Sequence, residues 1–138
     1  MSIKGELPFT DIRGLMFANK DPSKQREIVG RRLTSAYTLA SAPAVSETGE
    51  IVLVDASGTK IGPILTTDKV IFIVGSNKIT ATYEEALQRS REWAYTVESA
   101  RCRAVYKNAG ASFNNLSVMR AQMTPRVHVI IVKEPLGY

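Results

Sequence analysis

The chain has 138 residues, 44 % of them hydrophobic, which suits one packed domain and excludes a disordered segment. Its net charge of +5 arises from 18 Lys and Arg against 13 Asp and Glu, but the basic residues are scattered and form no concentrated face with stacking aromatics, so no nucleic-acid partner is expected. The longest apolar run, Val70 to Gly75, is far short of the about 20 residues that cross a bilayer, which excludes a membrane span.

No positively charged start leads into an apolar stretch, so a cytoplasmic protein is expected. The first 20 residues carry Leu7, Phe9, Ile12, Leu15 and Phe17 without a helical or strand period. Asp21-Pro22 then caps and opens a helix over "SKQREIVGRRLTSA", with Ile28, Val29, Leu33 and Ala36 on one face. A short strand, "YTLASA", ends at Pro43. "AVSETGEIVLVDASGTK" reads as a β-hairpin turning near Thr48-Gly49, where Gly supplies the positive φ; its second strand, Ile51 to Val54, is apolar on both faces. "KVIFIVG" predicts a central strand over Val70 to Val74, stopped by Gly75. Thr82-x-x-Glu85 forms a capping box, and Tyr83, Ala86, Leu87, Ser90, Ala94 and Val97 share a helix face that runs towards a stop at Asn108-Ala109-Gly110. The last element is the apolar strand "RVHVIIV", closed by Pro135.

This order predicts an α/β fold: one domain over residues 1–138, with a mixed, mostly parallel sheet and helices on both faces. Val70–Val74 and Val127–Val132 are expected as central strands with Leu87 and Ala94 packed on them, so that Ile71→Asp or Ile130→Asp would prevent folding. Sites in such sheets lie beyond the carboxyl ends of the strands, which makes Ser41–Glu47 and Gly75–Lys78 candidates for one rim. There Lys78 could hold an anion and Asn77 donate to a carbonyl, unless both are merely a polar strand end. Ser112, Asn114 and Asn115 form a polar loop that could bind phosphate or carboxylate, or simply connect. Asp55 with Ser57 and Gly58 makes a turn, or serves as acid or base. The single His128 reads as structural, and with one cysteine no metal cluster is expected. Cys102 lies between Arg101 and Arg103, whose charges would lower its pKa, but no base can be assigned to it.

"LTSAYTLASAPAVSETGEIVLVDASGTKIGPI", "KVIFIVGSNKI" and "RVHVIIVKEPLGY" together resemble the lactate-utilisation (LUD) domain, within the ribose-phosphate isomerase and CoA-transferase-like fold class, from Asp21 to Tyr138. The specific pieces are Glu47-x-Gly49, Gly58 with Lys60, Val74-Gly75-x-Asn77-Lys78-Ile79 and Leu136-Gly137-Tyr138. The resemblance implies a protein of lactate or related hydroxy-acid metabolism that binds a small anionic metabolite. Ser46-Glu47-Thr48-Gly49 is similar to the segment that carries the carboxylate nucleophile of CoA transferases, which makes Glu47 the candidate catalytic residue and Ser46 and Gly49 binding residues; the competing reading is an exposed turn. The alternative function is a stand-alone isomerase or acyl transferase using Glu47 and Lys78. No cofactor is expected: an iron–sulfur cluster takes about four Cys ligands, so electrons would travel on redox partner subunits.

Two departures from the family pattern bear on function. Pro43 stands where the family usually has Asn, and a domain shortened by the usual N-terminal strand-helix-strand section is expected. A domain shortened in that way has an open sheet edge and an uncovered apolar surface, so a homo-oligomer is expected, with Leu7, Phe9, Ile12, Leu15 and Phe17 as contact residues.

Overall fold

A computed structural model describes residues 11–138. Leu7 and Phe9 lie outside the described residues. Helix α1 (Ile12–Ala18) is capped by Asp11, whose carboxylate accepts from the Gly14 N–H at 3.0 Å. Helix α2 (Pro22–Leu33) begins as its sequence signal requires, with Asp21 accepting from the Ser23 N–H and Pro22 in the first turn. Strands β1 (Tyr37–Ala40), β2 (Ala44–Ser46) and β3 (Ile51–Asp55) follow, then helix α3 (Ile61–Thr66) and strand β4 (Lys69–Gly75). After a 3₁₀ turn at Ser76–Lys78 and strand β5 (Ile79–Thr80) comes one long helical stretch. It consists of α4 (Tyr83–Gln88), a π-helical turn (Arg89–Ala94) and α5 (Tyr95–Tyr106). Strands β6 (Asn115–Met119) and β7 (Val127–Val132) complete the described chain.

The α/β class and the predominance of parallel pairing hold, with the strands divided between two sheets. One is wholly parallel, in the order β1-β4-β7; the other is mixed, in the order β5-β2-β3-β6. The hairpin predicted at Thr48-Gly49 forms: Ala44 pairs with Val52, Val45 with Ile51, and Gly49 takes a φ of 103°.

Strand alternation explains where the core sits. Val70, Phe72 and Val74 point from β4 towards Val45, Ile51 and Leu53 of the mixed sheet, with Ile61 and Ile64 of α3 closing the cluster. On the other face of the mixed sheet, Ala44 and Val52 meet Ala86, Tyr83 and Leu87 of α4. The Thr82 hydroxyl accepts from the Glu85 N–H and the Glu85 carboxylate accepts from the Ala81 N–H, so the capping box fixes where that helix starts.

Two expectations are corrected here. β4 is central in its sheet, but β7 is an edge strand, and Ile130 is 52 % exposed. Leu87 packs on the mixed sheet rather than on β4. The cause is a run of apolar residues on β7 that, among the described residues, have no second sheet neighbour: period-two reading cannot separate a strand buried on both faces from an apolar strand at an open edge. On the outer face of the parallel sheet, Tyr37, Leu39, Ile73 and Ile130 are all exposed. Among the described residues, no helix is long and apolar enough to cross a membrane.

Candidate functional site

The carboxyl ends of β1, β3 and β4 converge on a cavity of about 810 Å³, walled on the far side by the π-helical turn, α5 and the loop from Asn108 to Ser112. Its position agrees with the rule for open α/β sheets, and the rim expected from Ser41–Glu47 and Gly75–Lys78 forms in part. Ser41, Ala42, Pro43 and Lys78 line it.

Lys78 is the centre of the site. Its side chain is 6 % exposed, and its ammonium donates one hydrogen bond, to the Ser41 hydroxyl at 3.1 Å. Among the described residues, no carboxylate pairs with it. Burial first, and then the neighbouring charges of Arg89 and Lys60, push its pKa below the ordinary lysine value. Lys60 also faces the cavity, where burial lowers its pKa although Asp55 and Glu98 oppose the shift.

The carboxylates in the same wall are already engaged. Asp55 accepts from the backbone N–H groups of Ser57, Lys60 and Ile61 at 3.2, 2.7 and 3.0 Å. Burial alone would raise its pKa, but these bonds outweigh that and hold it below the ordinary value. The turn reading of Asp55 is therefore the one the geometry bears out. Glu98 takes two hydrogen bonds from Arg101, both at 2.6 Å, and one from the Tyr138 hydroxyl. The Arg101 bonds are the chief reason that its pKa falls to about 2.

The C-terminal residues reach the cavity because Asn77 holds them. Its amide donates to the Gly137 carbonyl at 2.9 Å and its side-chain oxygen accepts from the Leu136 N–H at 3.0 Å. Gly75 permits that crossing: a Cβ there would lie 2.4 Å from the Leu136 nitrogen. Gly137, with a φ of 65°, passes over Lys78, where a Cβ would stand 3.2 Å from the ammonium. Arg89 ties the opposite rim, donating to the carbonyls of Asn77 and Pro43. The Pro43 carbonyl thus serves a cation, while its side chain offers no polar group.

Several residues expected in the site lie elsewhere. Glu47 is exposed on the hairpin turn, makes no side-chain hydrogen bond among the described residues and does not line the cavity; its backbone N–H donates to the Thr80 carbonyl at 2.8 Å. The engaged carboxylate of that turn belongs to Glu50, which gathers the hydroxyls of Ser46 and Thr48. Ser46 is buried in that network and Gly49 makes the turn, so both act in the hairpin. Asn114 and Asn115 donate to the carbonyls of Ala56 and Asp55 and stitch β6 to the end of β3. Ser112 from the same loop does line the cavity. Cys102 lies in the wall with its thiol pushed up by burial, against the lowering that Arg101 and Arg103 suggest.

The sequence marked Ser41 only as the start of a candidate rim, gave no sign that Glu98 and Arg101 face the cavity, and marked Lys60 and Tyr138 only as parts of family-like pieces. Among the described residues, no group of three or more His, Cys, Asp or Glu is arranged to hold a metal ion. No curated protein and no solved structure matches the chain. A family model described as the LUD domain matches residues 9–132.

Proposed function

The chain belongs to the LUD domain family, and from that premise we propose that it serves lactate or related hydroxy-acid metabolism by binding a small anionic metabolite in the cavity beside Lys78. The observation that carries this reading is a buried ammonium whose one hydrogen-bond partner is a neutral hydroxyl. Such a charge is costly without a counter-ion, and a bound anion would supply it. The cavity volume suits a small organic ligand. In this reading the protein is an accessory subunit that binds the metabolite, while redox partner subunits carry electrons. The exposed apolar face of the parallel sheet, with the open edge of β7, supports self-association as part of the same proposal.

Mass spectrometry of small molecules retained by the chain purified from its own cells tests the reading. An anionic metabolite held by the wild type and lost from Lys78→Met supports it. The same profile from both proteins refutes it. Glu47→Gln distinguishes the acyl-transfer or isomerase alternative: the cavity reading expects retained metabolite to be unchanged, whereas loss of a turnover measured on the pure chain would move the chemistry to the hairpin turn.

A further inference from the structure

The charges around the cavity fail to balance, and the imbalance has a definite size. Asp55 is committed to three backbone N–H groups and Glu98 to Arg101 and Tyr138. Arg101 is thereby matched. Among the described residues, the Lys60 ammonium has no hydrogen bond, although Asp55 and Glu98 favour its charge, the Lys78 ammonium has only the Ser41 hydroxyl, and the charge of Lys60 disfavours that of Lys78. Lys60, Lys78 and Arg101 thus exceed Asp55 and Glu98 by one positive charge, the one that a simple carboxylate could neutralise. Behind them Arg89 donates only to backbone carbonyls and adds a further positive charge.

Resting on the anion-binding reading above, we propose that the ligand carries a compact dianionic head, a phosphate monoester, held by Lys60, Lys78 and the Ser41 hydroxyl. A phosphate gathers nearly two charges and three acceptor oxygens on one centre, so a single group can meet both lysines and the hydroxyl. The rest of the cavity is walled by Ala42, Val54, Ala94, Tyr95 and Tyr106. That lining accepts an organic body with apolar or planar surface, which distinguishes the ligand from free phosphate.

The probe is inorganic phosphate, titrated by calorimetry into the purified chain at fixed ionic strength, with lactate and malonate as the monoanion and dicarboxylate arms. Phosphate should bind more tightly than either. Its affinity should rise as pH passes through the second ionisation of inorganic phosphate, about one unit above the value near 6 of a monoester, where the dianion forms. Lys60→Met and Lys78→Met should each weaken binding by at least about tenfold, the scale of one charge-assisted contact. Circular dichroism checks that each variant is folded, and if Lys78→Met is not, Lys60→Met and Ser41→Ala carry the test. Lactate binding that depends on Lys78, with no phosphate binding, overturns the dianion and leaves the anion reading in place. Tighter binding of malonate overturns the phosphate monoester. Phosphate binding that neither lysine variant alters places the anion elsewhere and overturns the proposal, while no binding by any of the three overturns both readings.

Discussion

Replacing Lys78 by Met in the ligand-free protein should make the fold more stable, against the usual trend of core substitutions. Met keeps an unbranched stem of similar length and removes only the cation. The loss is the bond to Ser41, about 1 kcal/mol; because Ser41 is exposed, its hydroxyl can turn to water and no unpaired buried group remains. The gain is the relief of a 6 % exposed charge that Arg89 and Lys60 repel. Burying an ion costs several kcal/mol even after relaxation, of which the lowered pKa recovers part. The net change is a stabilisation of about 1–2 kcal/mol, or a rise in Tm of roughly 3–8 °C for a domain of this size. The pH dependence gives a second check. The folded-state pKa of Lys78 lies below its unfolded value, so between the two the unfolded chain holds more protons and wild-type stability rises with pH. The advantage of Lys78→Met over wild type should therefore shrink from pH 7 to pH 10 in urea denaturation. A variant destabilised by 1 kcal/mol or more at pH 7 would show that the ammonium is net stabilising, and the argument from charge imbalance would collapse.

Glu98→Gln should flatten the acid limb of the stability profile. A carboxyl held down to about 2, chiefly by Arg101, contributes stability above its unfolded pKa that disappears as pH falls towards 2; since both partners are about a third exposed, the difference between pH 7 and pH 2.5 should be about 1 kcal/mol. Equal acid losses in wild type and variant would refute that. Asn77→Ala removes both hydrogen bonds to the C-terminal residues, so amide exchange at Leu136 should accelerate by about tenfold, given about 1 kcal/mol per bond, while exchange in β4 stays unchanged. Phe72→Asp should prevent folding, because that side chain is fully buried, whereas Ile130→Asp should remain folded. If the outer face of the parallel sheet mediates self-association, light scattering should give a dimer for wild type and a monomer for Ile130→Asp, and a wild-type mass of 15.2 kDa would count against it.

Elements whose local signals are self-contained could be read from the residues alone. Asp21-Pro22, the Thr82–Glu85 capping box, the Gly49 turn and the apolar run of β4 each determine structure within a few residues, and each formed where expected. Strand β6 was hidden because Asn115-Leu116-Ser117 has the composition of a loop; β3 supplies its pairing from about 60 positions earlier. Helix α3 was hidden by Gly62 and Pro63, and what starts it is Asp55, whose carboxylate accepts the N–H groups of Lys60 and Ile61. The site divides in the same way. Lys78 was legible because it follows a central strand, as cavity residues of this fold class do. Glu98 and Arg101 were not, because their facing depends on the phase of a helix that changes period partway along. Glu47 was overvalued because a motif fixes spacing but not the direction in which a turn presents its side chain.

That change of period also bears on how the chain can tolerate insertions and deletions. The π-helical turn at Arg89–Ala94 holds more residues per turn than the α-helical segments on either side. Loss of one codon within it would let the segment relax to an unbroken α-helix, and the helix would run on with its capping box and core contacts upstream intact. The deletion and the relaxation would cancel, so everything after it would keep its facing, whereas relaxation to α-helix with every residue kept would turn it by about 100°. In that second case Glu98, Arg101 and Cys102 would leave the cavity wall together, without any of them having been replaced. In this fold the hydrogen-bonding period of one helical turn is therefore as much a determinant of the cavity as the side chains that line it, and a homologue with one residue fewer between Gln88 and Tyr95 and an unbroken α-helix there would keep the same binding surface.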